Sequence, residues 1–305
     1  MLPRSFHRLV TKVGRFVTKV GLVAPVLLAV ASCASKAPVE ILLVHTGDVR
    51  GSLRRAPPGL GAAVVATEMR RLARTRPDLI RVDAGGFSDA AQTSPEAAYA
   101  IAAMLGYDAA ALGAPEIGLG RDGVERLCDL VPFPLLGSNV VDDAGRPLGD
   151  APYVVIERRG LRIALIGVVS RRTTPPDGHR VIRPRDALGP IVAELAGRAE
   201  IVVVLAHAGV DECGRIARDV PGLTLVVGGA GHEPIGEPVA VGGAWVAHAS
   251  DRLLDVGRVE LVWDPATKRV ANVRGGTGRP EGPAAPDVLE AVDAVDSVPR
   301  PASPR

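Results

Sequence analysis

From Glu40 to Asp264 the chain alternates two kinds of hydrophobic pattern. ILLVHT, DLIRVDAGG, FPLLGSNVV, AEIVVVLAHAG and GLTLVVGG are short apolar runs without polar alternation, and each predicts a strand buried on both faces. Between them, GLGAAVVATEMRRLART, PEAAYAIAAMLGYD, RDGVERLCDLV and DALGPIVAELAGRA repeat apolar residues every three or four positions and predict helices. AAALGAPE reads as strand and loop, PYVVIERRGLRIALIGVV as a hairpin turning at Arg159-Gly160, and GAWVAHAS and DVGRVELVWDP as further strands. The order predicts an α/β protein with two sheets sandwiched between helices, α/β/β/α, over residues 40–273. From Arg274 the chain turns Gly/Pro-rich (GGTGRPEGPAAP) and, after a short helical stretch, ends in PRPASPR. Residues 274–305 are therefore expected to form a disordered tail.

Composition changes the picture mainly at the N-terminus. With 305 residues, 47% of them hydrophobic and only 3% aromatic, the chain can bury a large core of Ala, Val, Leu and Ile. Five positive charges, Arg4, Arg8, Lys12, Arg15 and Lys19, fall in residues 1–32, which hold no acid. The formal net charge of +2, less these five, leaves −3 on the remainder, a balance that gives no support to a nucleic-acid partner. The basic segment precedes GLVAPVLLAVAS, an apolar run too short to span a bilayer comfortably, so residues 1–32 read as an export signal.

That run ends in V-A-S-C, Val30 to Cys33, which resembles the bacterial lipoprotein signal box. The resemblance implies a lipidated Cys33, residues 33–39 as a linker and a membrane as partner, since two or more acyl chains anchor stably. Ala34 in place of Asp implies sorting to the outer membrane, facing the periplasm. The alternative is an ordinary secretory signal in which Cys33 is incidental. Cys128 and Cys213 sit in helix-like segments and read as two small buried residues, with a disulfide between them as the open alternative.

Ligands of open α/β sheets bind outside the carboxyl ends of the strands. Those ends read, in order, HTGDVRG, VDAGG, LGAPE, LAHAG and GGAGH. Their order resembles the calcineurin-like metallophosphatases, above all the catalytic domain of bacterial 5′-nucleotidases. MLGYDAAALGAPEIGLG, FPLLGSNVVD and DVGRVELVWD resemble further segments of that family. The resemblance implies an α/β/β/α sandwich and two metal ions that generate a hydroxide and stabilise both oxygens at phosphorus. It also implies Asp-x-His, Gly-Asp, Gly-Asn-His-Asp/Glu, a lone His and Gly-His-x-His at the strand ends.

Carried over position by position, most of those ligands are missing. Asp48 fills the first Asp, but Arg50 stands where its paired His belongs. Gly86 replaces the bridging Asp, Ala114 the Asn, and Pro115 the His that serves as general acid. His207 is retained, Ala230 replaces the first His of the last motif, and His232 matches the second. Glu116 matches the family's Asp/Glu without its His neighbour, Asp83 is a strand-end hydrogen-bonder or a displaced ligand, and His45 and His248 match no ligand position.

Without the bridging carboxylate the repulsion of two dications is uncompensated, and Arg50 puts a fixed cation where a metal belongs. Two-metal catalysis is not expected. Three readings of the cleft stay open. Asp48, His207 and His232 hold a single divalent ion, three ligands being the minimum for a catalytic zinc. Alternatively Arg50 forks onto a phosphate in a metal-free anion cleft, or pairs with Asp48 and closes it. In the third, all are polar loop residues hydrogen-bonded at strand ends.

About forty residues follow Asp264, too few for the nucleoside-binding domain that the 5′-nucleotidases carry, so nucleotide specificity is not carried over. The functional expectation is an envelope-anchored, non-catalytic or altered metallophosphatase-like protein used for binding or scaffolding. The alternatives are an active phosphoesterase with a rebuilt one-metal site and a structural envelope protein. The protein partner stays open.

Overall fold

The computed structural model describes residues 37–296. The export signal, the lipidation position Cys33 and the last nine residues lie outside them. The elements run β1 (Val39–Thr46), α1 (Ala62–Thr75), β2 (Ile80–Asp83), α2 (Pro95–Leu105), β3 (Ala109–Ala111), α3 (Ala114–Ile117) and α4 (Gly120–Leu130). Next come β4 (Leu135–Leu136), β5 (Val140–Asp142), β6 (Tyr153–Arg158), β7 (Leu161–Val169), β8 (His179–Val181) and α5 (Pro184–Leu195). The chain closes with β9 (Ile201–His207), α6 (Val210–Asp219), β10 (Leu225–Gly228), β11 (Val239–Val241), β12 (Ala244–His248), β13 (Val256–Asp264), β14 (Arg269–Gly278) and α7 (Pro286–Asp296).

Two six-stranded sheets form, in the orders β14-β13-β1-β2-β3-β4 and β11-β12-β10-β9-β7-β6. In the first sheet β1 to β4 run parallel and β13 and β14 join antiparallel at one side; in the second the central strands are parallel and both edge strands, β11 and β6, are antiparallel. Period-two alternation within each apolar run explains the layers. Ile41 and Leu43 of β1 face Leu165, Val203 and Leu205 in the core between the sheets. Leu42 and Val44 face the opposite way, into a core shared with α1, α2, α4 and α7. Across the second sheet, Val202 and Val204 meet Leu188 of α5 and Ile216 of α6. This is the α/β/β/α sandwich that the pattern predicts.

Local chemistry fixes the element ends. Ser94 caps α2 by accepting from the Ala97 N–H at 3.1 Å, Pro95 opens the helix, and Gly106 closes it in the left-handed region. The hairpin turns at Arg159-Gly160 as expected. FPLLGSNVV, read as one strand, is two, and in the break between them the Ser138 hydroxyl donates to the Gly167 carbonyl at 2.6 Å. Cys128 and Cys213 are free, on α4 and α6 in opposite outer layers, with both thiols pushed up to about 12 chiefly by burial.

The tail expected from Arg274 is a correction. Residues 274–278 complete β14, and Val288 and Val292 of α7 pack into the core against α1. The glycines that suggested disorder serve close approach instead. A Cβ at Gly275 would run into the Arg258 carbonyl, and one at Gly276 would lie 2.5 Å from the Gly236 carbonyl. No helix of the described residues is long and apolar enough to cross a membrane.

Candidate functional site

The strand-end loops expected to carry chemistry do converge. The loop after β1 lies along the loop after β2 through Asp48 N–H to Gly85 O at 2.7 Å, Arg50 N–H to Gly86 O at 2.9 Å and Gly51 N–H to Phe87 O at 2.9 Å. The β10 loop comes closer still, since a Cβ at Gly47 would lie 2.6 Å from the Gly229 Cα. Asp48 and Arg50 both adopt positive φ, 52° and 51°, a conformation that turns their side chains toward each other.

Arg50 grips Asp48 bidentately, Nε to Oδ1 at 2.9 Å and Nη2 to Oδ2 at 2.8 Å. Oδ2 also accepts from the Gly231 N–H at 3.3 Å, and Oδ1 lies 3.5 Å from His207 Nε2. Burial pushes the Asp48 carboxyl up, but His207 and the Arg50 guanidinium outweigh it and bring it down to about 2. Of the two orientations open to Arg50, the structure has the one that turns inward onto Asp48.

His207 Nδ1 accepts from the Ala114 N–H at 3.3 Å, which puts the ring proton on Nε2, facing Asp48. A metal-bound histidine has the reverse arrangement, with its second nitrogen donating outward. His232 is turned away: its ring is 71% exposed and its Nδ1 lies 2.7 Å from Asp251 Oδ2. A Cβ at Gly86 would lie 2.5 Å from His207 Nε2 and 3.0 Å from Asp48 Oδ1. The bridging position therefore aims at the Asp48–His207 pair, and the His207 ring occupies the space that a side chain there would need. Among the described residues no group of three or more His, Cys, Asp or Glu is placed to hold a metal ion. These residues do not fit a two-metal centre.

The remaining acids are structural. Asp83 accepts from Thr46 Oγ1 at 2.6 Å and the Gly85 N–H at 2.8 Å. It is a strand-end hydrogen-bonder, and burial pushes its carboxyl up to about 7. Glu116, fully buried, accepts from the N–H groups of Gly86, Ser88 and Gly113 and from the Ser88 hydroxyl at 2.7–3.2 Å. It ties the β2 loop to the β3 loop. His248 hydrogen-bonds the Ala249 and Ala230 carbonyls, while His45 is buried and pushed down to about 3 by desolvation and then by His248.

Two features escaped the sequence reading although both follow strand ends. Asp251, 1% exposed, lies just past β12 and holds His232. Arg171 and Arg172 follow β7 directly, and with Arg183 and Arg215 they line two adjoining cavities of about 310 and 610 Å³. Reading the end of GVVSRR as the other ends were read would have exposed them.

No family model matches the chain. A 5′-nucleotidase of Bos taurus is 28% identical over 220 residues, 63% of this chain and 38% of that protein. An uncharacterised metallophosphoesterase of Bacillus subtilis is 29% identical over 171 residues, 54% of this chain and 37% of its own. The chain thus spans under two-fifths of the length of these relatives. Among solved structures, a 5′-nucleotidase precursor of Thermus thermophilus superposes with a TM-score of 0.74 at 23% identity, over 84% of this chain and 58% of its own. A calcineurin-like phosphoesterase of Bacillus subtilis gives 0.74 at 16%, over 85% and 97%. In fold and in the order of its strand-end loops, the chain is metallophosphatase-like and resembles the 5′-nucleotidases.

Proposed function

We propose that this metallophosphatase-like domain is catalytically inactive toward phosphoesters and serves the cell envelope as a binding or scaffolding module anchored through Cys33. One observation carries the reading: Asp48, an expected ligand that is retained, has both carboxylate oxygens engaged by Arg50. The Gly86 bridging position without a carboxylate and the Nε2 proton of His207 support it independently. The competing reading is a phosphoester hydrolase with one rebuilt metal site on Asp48, His207 and His232. It requires Arg50 to release Asp48, His207 to change tautomer and His232 to leave Asp251.

Elemental analysis of untagged protein, paired with phosphomonoester and nucleotide hydrolysis under added divalent ions, tests this. Less than one ion per chain and no turnover is the expected result. One ion with turnover supports the competing reading, and two ions with turnover overturn both. For the anchor, Cys33→Ser should move the protein from the membrane to the soluble periplasmic fraction. A variant that still sediments with membranes removes the lipoprotein reading.

A further inference from the structure

Away from the Asp48 loop, the carboxyl end of β7, the start of α5 and one face of α6 enclose a cavity of about 310 Å³. Arg171, Arg183, Arg185 and Arg215 line it, against two carboxylates, Glu212 and Asp219. Only Arg185 is committed, to Asp186 at 3.1 Å. Glu212 is already satisfied: it accepts from the Ser170 hydroxyl at 2.6 Å and the Arg171 N–H at 3.0 Å. The side chains of Arg171, Arg183 and Arg215 therefore converge without an acceptor among the described residues. Other arginines of this protein are matched, as Arg162 is to Glu200 and Arg198 to Glu194. The cavity's arginines outnumber its two carboxylates, and a bound anion lowers the repulsion among them.

Three further features fit an anion. α5 starts here with no side-chain cap, so the positive end of its dipole faces the cavity, although Pro184 has no N–H and the Asp186 and Ala187 N–H groups bond the Arg183 carbonyl. Pro184 and Ile216 give the cavity a buried apolar floor, which leaves the guanidiniums as the polar groups that orient a ligand. Arg215 and Glu212 also line the 610 Å³ cavity beside it, where Arg172 lies, so a ligand longer than one phosphate has room to extend.

We propose that this arginine cavity binds a small soluble phosphate-bearing anion, with Arg171, Arg183 and Arg215 as its ligands. Guanidinium forks match phosphate oxygens bidentately, and a diphosphate can engage more than one. The 310 Å³ cavity shares no lining residue with the Asp48 loop, and the 610 Å³ cavity beside it reaches Gly231 and His232 at the rim of that cleft.

Titration calorimetry of inorganic phosphate and pyrophosphate into the full chain tests it. Pyrophosphate should bind more tightly than phosphate, and both should weaken as ionic strength rises. Arg171→Gln, Arg183→Gln and Arg215→Gln should each weaken pyrophosphate binding about tenfold, the loss of one charge-assisted bond. Arg50→Gln should leave it unchanged. These arginines are exposed and their side chains accept no structural role, so thermal melting should show the three variants folded. An Arg171→Gln/Arg215→Gln protein that binds pyrophosphate as wild type does would overturn the proposal. So would the absence of binding at millimolar pyrophosphate, loss of binding in Arg50→Gln, or binding only to vesicles of anionic lipid.

Discussion

Two strand-end clefts of this molecule hold comparable charge and use it in opposite ways. In the cleft below β1 and β2, Asp48 is closed by Arg50 and Glu116 by four donors. In the cleft below β7, the guanidiniums of Arg171, Arg183 and Arg215 have no hydrogen-bonded or ion-paired partner among the described residues. A charge satisfied within the protein is withdrawn from ligands, while an exposed one without a protein partner is held only by water and stays open to a ligand. The comparison separates inherited shape from present use. The first cleft spends its charge within the protein, and the second, as proposed above, presents its charge to a ligand.

The largest effect should come from Glu116→Ala. It strands three backbone N–H groups and one hydroxyl in a fully buried position, and loss of a buried charged partner costs about 3–5 kcal/mol. Arg215→Ala, exposed and unpaired, should stay within about 0.5 kcal/mol of wild type. Urea unfolding of both measures the contrast directly. Equal losses would mean that Arg215 is engaged after all and that the two clefts do not differ.

A medium effect should appear in the pH dependence of stability, through two buried groups of neighbouring strands in the first cleft. Asp83 has its pKa raised from 3.8 to about 7, so its contribution is whole below pH 3.8 and is lost as pH rises toward 7. His45 has its pKa lowered from 6.5 to about 3, so its contribution is whole above pH 6.5 and is lost as pH falls toward 3. Between those limits the two slopes oppose each other and the wild-type curve is flattened. Asp83→Asn should unmask the His45 slope, giving a variant that gains about 2 kcal/mol relative to wild type between pH 5 and pH 7. Denaturant midpoints at several pH values read this, and parallel curves for the two proteins would remove Asp83 from the account.

Periodicity made the fold legible, because strands covered on both faces leave unbroken apolar runs and their helices leave the period of 3.6. The end of the fold was not legible, because Gly275 and Gly276 look like linker residues until the carbonyls opposite them are placed. At the site, the substitutions at Arg50, Gly86, Ala114 and Pro115 could be read, and so could the choice facing Arg50. Which way Arg50 turned depended on the positive φ at Asp48 and Arg50, which no residue pattern announces. His232 was misplaced as a neighbour of Asp48 for a similar reason: its partner Asp251 comes from a strand end 19 residues downstream that matched no motif.

The smallest effect is the most informative about why the first cleft is closed. Arg50→Ala removes two charge-assisted hydrogen bonds to Asp48, but the guanidinium side chain is 34% exposed, and water replaces part of what it supplies. A stability loss of about 1 kcal/mol is expected, below the 1.5–3 kcal/mol of a buried charged bond. The Asp48 carboxyl should rise from about 2, since burial then acts against fewer opposing groups, with His207 and the Gly231 N–H still in place. Carboxyl-carbon NMR follows that titration. An Asp48 that stays near 2 would mean that His207 alone holds it down. The same variant should take up no divalent ion, because Gly86 supplies no bridge and the Ala114 N–H keeps the proton of His207 on the nitrogen that faces the cleft. Uptake of one ion per chain by Arg50→Ala would place the whole obstacle at a single guanidinium. The cleft would then be one substitution from a metal site rather than dismantled across three loops.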